Sequence, residues 1–358
     1  MPRPKVIVVH LGTPRVYFQV LGKAGYGRHH VALRVRALGN APMAFNDDEL
    51  VLKFARLERY NPDSPLRVEA EIVTELQRKE CANIAKLVSD FTGVPAVGDS
   101  NTVPGDLPCT LWRFYRGGNL GTLLFDYNSA IPAIVGARIL ADVLEAVYAM
   151  HMEHRDFAVA HEDEVLGNIL VDYPEGVANP TFLFGDFGDG HIIREPQGSP
   201  ARRKGLKVSL QNIRKHTFDL VHSWGRGGDG DKWNGIRDTL DELIFEVSLP
   251  DDRAAPAPDD GGKALAVSLR TAIAKLRMRE QNDICMNGRS ESLQRFLNFA
   301  RLMSDRRSGP PMTAPSDDLA VVMAKETFKL KTGWLIADTL PNDLSVADLW
   351  TLRKPPAA

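Results

Sequence analysis

Residues 160–190 read AHEDEVLGNILVDYPEGVANPTFLFGDFGDG, and this stretch decides the reading of the chain. It contains His161-x-Asp163-x4-Asn168, an apolar run, and then Asp186-Phe187-Gly188. Ile169-Leu170-Val171 and Thr181 to Phe184 have the composition of two short β-strands, with Pro and Gly between them. A hairpin of those strands sets Asn168 just before the first and Asp186 just after the second, so both can face one metal ion. Phosphoryl transfer from a nucleotide uses such a set. One aspartate orients or deprotonates the acceptor hydroxyl, while an asparagine and a second aspartate hold magnesium. The plainer reading is turn chemistry alone, since Asp, Asn and Gly favour turns for local reasons.

The segment resembles the catalytic loop and Asp-Phe-Gly turn of the protein-kinase superfamily, and the resemblance extends over roughly Val16 to Val247. It implies an α+β class and a bilobal protein-kinase-like fold, with a small β-rich N-lobe and a larger, mainly helical C-lobe. The lobes are expected at 1–112, with an insertion around 40–65, and at 113–358, with insertions around 189–232 and 250–262. The family's catalytic roles then fall on Asp163, Asn168 and Asp186, with Asn168 and Asp186 as magnesium ligands and ATP as nucleotide. His154-Arg155-Asp156 spells the family's catalytic tripeptide, but His161 rather than Asn stands five residues beyond Asp156. Spacing selects Asp163 and leaves His154 to Asp156 as an exposed loop after a helix.

Upstream, Val16 to Val20 and Val31 to Val35 read as strands flanking Gly22-Lys23-Ala24-Gly25-Tyr26-Gly27. Glycines let backbone N–H groups approach phosphate oxygens, so Gly22, Gly25 and Gly27 are candidate nucleotide contacts, and Lys23 in the same loop could supply an ammonium. A hairpin turn is the alternative. Val31-Ala32-Leu33-Arg34 is similar to the family's Val-Ala-Ile-Lys, with Arg34 in the lysine's place. A guanidinium fork is not a compact ammonium, which sets this chain apart from ordinary kinases. Leu50 to Tyr60 is compatible with a helix, and Arg67 to Leu87 reads as another. The resemblance makes Glu71 the partner of Arg34. Leu111 to Leu120, with Phe114 and Gly117-Gly118-Asn119, is similar to the family's adenine-binding hinge, and a loop-to-helix junction is the alternative.

Downstream, Ile131 to His151 has helical periodicity, with His151 as a structural histidine. No Ala-Pro-Glu follows Gly188 before Asp219, and Val165 stands where many Ser/Thr kinases carry Lys. Residues 202–215 are basic and could meet an anionic partner or RNA. Either Phe218-Asp219-Leu220 or Arg237 to Leu243 could begin the next long helix. Ala264 to Met278 and Glu291 to Met303 read as helices.

The net charge of −2 gives no whole-molecule field for nucleic acid or membrane. No apolar run is long enough to span a bilayer. Three widely spaced cysteines suggest a reducing compartment, with a cytoplasmic protein as the expectation. Three functions stay open: a divergent phosphotransferase acting on a protein or small molecule, a pseudokinase scaffold, and a kinase-fold enzyme of another group transfer. Aminoacyl-tRNA-dependent cyclodipeptide synthesis is an example of the last.

Overall fold

The computed structural model describes residues 6–10, 15–26, 30–38, 49–55, 65–78, 81, 83–90, 109–225, 230–248, 258–287 and 290–307. They form an α+β structure of two compact units. The described parts of 1–71 and 86–114 make the first unit, and those of 72–85 and 115–309 the second.

The first unit is a six-stranded sheet of β1 (Val6–His10), β2 (Arg15–Tyr26), β3 (His30–Leu38), β4 (Leu50–Ala55), β5 (Leu87–Asp90) and β6 (Cys109–Arg113). The order is β1-β2-β3-β4-β6-β5, with every pairing antiparallel. Helix α1 (Pro65–Gln77) follows β4 in the chain. In β4, Leu50 and Leu52 are fully buried while Val51 and Lys53 are half-buried, the alternation of a pleated strand. Residues 50–55 are therefore a strand between β3 and β6, not the start of a helix in an insertion. The β-forming Leu-Val-Leu-Lys-Phe run, packed on both flanks, overrides the helical reading.

The glycine segment also differs from expectation. Strand β2 continues to Tyr26, so Gly22, Lys23 and Gly25 pair with Arg34, Leu33 and Ala32 within the ladder. Register shifts between Val20 and Gly22 and between Lys23 and Gly25 leave Leu21 and Ala24 as the extra residues. Gly27 lies outside the described residues.

In the second unit, α2 (Leu120–Tyr127) and α3 (Ala133–Met152) precede β7 (Ala158–Ala160), β8 (Ile169–Asp172), β9 (Thr181–Phe184) and β10 (His191–Ile193). Then come α4 (Pro200–Asn212), a widened π turn at Ile213–Phe218, α5 (Asp219–Trp224), α6 (Gly230–Ser248), α7 (Pro258–Asn287) and α8 (Glu291–Arg307). The expected insertion around 189–232 thus carries regular structure. Arg237 to Leu243 lies inside α6 and begins no helix. The expected helix over 67–87 ends at Gln77, and Asn83 takes a left-handed φ of 58°. Among the described residues, no helix is long and apolar enough to cross a membrane.

Helix α3 is apolar around most of its circumference, as a helix must be when neighbours cover it on every side. Gly136 lets the buried Trp233 of α6 approach: a Cβ there would lie 2.2 Å from the indole ring. Asp142, only 3% exposed, accepts from the Phe182 N–H of β9 at 2.9 Å and from the Arg277 guanidinium of α7. One carboxylate therefore joins α3, β9 and α7.

Burial raises the Asp142 pKa to about 6, against the opposing pull of Arg277 and the Phe182 N–H. The folded state then holds a proton more tightly than the unfolded chain, so this contribution to stability is present near pH 4 and is lost as pH rises through 6. The Asp142→Asn variant should lack that fall of about 2 kcal/mol, measured by urea unfolding at pH 4 and pH 7. Equal pH dependence in the two proteins would refute this.

Candidate active site

Strands β8 and β9 pair from Ile169↔Phe184 to Asp172↔Thr181, the hairpin expected from composition. At its open end the Gly185 N–H donates to the Asn168 carbonyl at 2.9 Å. This brings the residue before β8 and the residue two beyond β9 to one edge. The Asn168 amide donates to both the carbonyl and the carboxylate of Asp163, at 2.9 and 2.7 Å. Its nitrogen is thereby committed to Asp163, and its Oδ1 is left as an acceptor.

His161 is fully buried beneath this edge. Its Nε2 lies 3.0 Å from the Gly185 carbonyl, and its Nδ1 accepts from the Asp163 N–H at 3.3 Å. A carbonyl can only accept, so Nε2 carries the proton and Nδ1 the lone pair. The ring packs against Phe184 and Phe187, with centroids 5.1 and 4.5 Å away. Phe187 is itself fully buried, so the middle residue of Asp186-Phe187-Gly188 anchors the turn in the core. Asp186 and Glu162 hold φ values of 61° and 64°, in the left-handed region that non-glycine residues seldom adopt. Such backbone persists where surrounding contacts over-determine it, and it gathers at functional sites.

Glu164 was not anticipated. It is fully buried beside Asp163, and its Oε2 accepts from the Asn212 amide of α4 at 2.8 Å. The Thr217 hydroxyl of the π turn donates to its carbonyl at 3.4 Å. The loop bearing Asp163 is thus tied to the end of α4. Only burial distinguishes Glu164 from the other acidic residues of this loop, and burial is not written in a single sequence.

The Gly117-Gly118 turn meets β8 through Gly117 N–H to the Val171 carbonyl (3.1 Å) and Val171 N–H to the Gly118 carbonyl (2.8 Å). A Cβ at Gly117 would lie 2.5 Å from that Val171 oxygen, so the close approach requires glycine. Asn119 caps α2 by accepting from the Thr122 N–H at 2.8 Å.

In the first unit the cation expected to meet Glu71 has another carboxylate beside it. Arg34 pairs with Glu49 and lies 4.9 Å from the Phe114 ring centre. Glu71 stands on the exposed face of α1. The ammonium of Lys53 in β4 instead meets Glu69 of α1 at 2.8 Å, where Glu69 is 1% exposed. Lys53 also lies 5.0 Å over the Trp112 ring. Glu69 and Glu71 are two residues apart on a helix, which turns their side chains to opposite faces. The overlooked signal was Leu50-Val51-Leu52-Lys53, an apolar strand ending in lysine that competes with Val31-Ala32-Leu33-Arg34.

The basic segment is mostly committed within the fold. Arg202 is 2% exposed and donates to the carbonyls of His154 and Arg155, both at 2.8 Å. Arg214 pairs with Asp219 and Asp241. His154 is buried, stacked on Phe157 and 3.4 Å from Cys81, so only Arg155 and Asp156 of that tripeptide are exposed. His151 is buried beside Ser209, and burial with nearby Arg202 lowers its pKa to about 3, a structural neutral imidazole.

Among the described residues no cluster of three or more His, Cys, Asp or Glu forms a metal cage. The amide oxygen of Asn168 and the carboxylate of Asp186 would offer a sparse, all-oxygen donor set. Such a set fits magnesium, which keeps water and substrate oxygens in its coordination sphere. A scan of protein-family models finds no match to the chain, and a search of curated proteins finds none either.

Replacing His161 by Phe would retain an aromatic ring against Phe184 and Phe187 while depriving the Gly185 carbonyl and Asp163 N–H of their partner. The expected loss is about 2 kcal/mol in urea unfolding. Stability equal to wild type would show that these two bonds do not hold the loop.

Proposed function

We propose that the chain is a divergent kinase-like phosphotransferase that moves the γ-phosphoryl group of ATP to a hydroxyl acceptor. The observation that carries this reading is the Asp163–Asn168 hydrogen bond at the open end of the β8–β9 hairpin, with Asp186 following the second strand. Asp163 orients the acceptor hydroxyl and takes its proton. Asn168 and Asp186 would hold magnesium, which would supply neutralisation of the phosphate charge when bound. In the first unit, Lys53 restrained by Glu69 is a fixed ammonium of the kind that contacts nucleotide phosphates.

The bilobal kinase-like fold belongs to the same proposal. It is supported by an antiparallel sheet whose lysine-bearing strand is followed by a helix with the partner glutamate, and by the separate hairpin unit. A purely scaffolding role drew on Ala24, Arg34, Val165 and the missing Ala-Pro-Glu, and the Lys53–Glu69 pair bears on the second of these. A tRNA-dependent role drew on the basic segment 202–215, of which Arg202 and Arg214 are engaged by the protein itself.

ATP with magnesium should raise the Tm of the wild-type protein, because a ligand of the native state stabilises it. Asp186→Asn should lose the magnesium-dependent part of that shift. Asp163→Asn should keep it and lose at least about a hundredfold in turnover. Absence of any nucleotide-induced shift in the wild type would sink the proposal.

A further inference from the structure

A cavity of about 430 Å³ opens in the second unit beside the Asp163 loop. One wall is the β7–β10 ribbon, where His191 pairs with Ala160. The other is α4, which Gly205 allows to lie close: a Cβ there would sit 2.8 Å from Ile193. Glu162, the residue preceding Asp163, lines the cavity and points its carboxylate at His191, 3.2 Å away. This volume suits a small molecule.

The charges in the cavity are not equally committed. Glu162 is met by His191, and Glu195 acts on the buried Arg202. Arg194 also has an interaction within the fold. Lys204, on the α4 wall, makes no hydrogen bond or ion pair within the described residues. One uncommitted ammonium therefore faces a cleft whose opposite wall carries Glu162 and His191. Val208, 37% exposed on α4, offers an apolar contact for a carbon skeleton.

We propose that this cleft binds the phosphoryl acceptor, and that the acceptor is a small polyhydroxylated anion. Its anionic group pairs with Lys204, and a hydroxyl near Glu162 is presented to Asp163. The assignment of the bound molecule as acceptor rests on the phosphotransferase reading. In that step the acceptor oxygen forms a bond to the γ-phosphorus of ATP, the bond from that phosphorus to ADP breaks, and the hydroxyl proton passes to Asp163.

Gluconate, sorbitol and glucosamine are probes of similar size that differ in charge, and each can be added to the full chain with and without ATP–Mg²⁺. Gluconate should raise Tm most and stimulate ADP formation, sorbitol less, and glucosamine least. Lys204→Glu should weaken gluconate binding by about tenfold or more. Val208→Trp, at an exposed helix position, should block all three probes. Both variants should keep the ATP–Mg²⁺ shift. A Lys204-dependent gluconate shift without any ATP effect would leave the cleft standing and remove the phosphotransferase reading. The cleft proposal is overturned if gluconate has no effect, if sorbitol matches it, or if Lys204→Glu leaves it intact. It is equally overturned if an acidic serine peptide drives turnover that gluconate does not compete.

Discussion

The ring of His161 has its two nitrogens committed in opposite directions, and the geometry of the site depends on this. Nε2 holds the carbonyl of Gly185, and Nδ1 receives the N–H of Asp163. The same imidazole therefore sets the distance between the loop carrying Asp163 and the turn carrying Asp186. It can do so because it is fully buried between Phe184 and Phe187, where an unpaired polar group would be costly. Asn168 completes the arrangement, with its backbone carbonyl on Gly185 and its side-chain amide on Asp163. The left-handed Glu162 and Asp186 lie on either side of this lattice, held where an isolated peptide would relax.

This small lattice stands on a larger one. Asp142 of α3 receives the Phe182 N–H of β9 and the Arg277 side chain, while Arg138 binds Glu280. Glycines at 117 and 136 permit close approaches, of a turn to β8 and of Trp233 to α3. Glu164 extends the loop's attachments to α4, the helix that also walls the proposed acceptor cleft. A ligand resting on α4 would thus lie within one buried hydrogen bond of the residue adjoining Asp163.

The hairpin and its polar edge were legible because they are local. Strands β8 and β9 follow from β-forming residues with Pro and Gly between them, and the spacing from Asp163 to Asn168 distinguishes that loop from His154-Arg155-Asp156. Long periodic α3 was legible for the same reason, as were the cores of α7 and α8. Residue type alone misled in the sheet. Val-Ala-Leu-Arg and Leu-Val-Leu-Lys are both plausible strands ending in a cation, and only the order of strands tells which cation meets the helix glutamate. The run of basic residues misled likewise, since charge says nothing of whether a guanidinium such as Arg202 faces water or backbone carbonyls.

By itself the sequence determined the short-range facts: an α+β composition, the hairpin, the residues at its open end and the absence of a membrane-spanning run. Those depend on neighbours within a few residues, and turn preference and periodicity record them. Tertiary structure alone decided that Lys53 pairs with Glu69 of α1 and Arg34 with Glu49, that Glu69 rather than Glu71 turns inward, and that Arg202 is spent on the protein's own backbone. Each is a contact between residues far apart in the chain or a choice of helix face. It is fixed by strand register and by the cost of burying a charge without a partner, neither of which a local pattern contains.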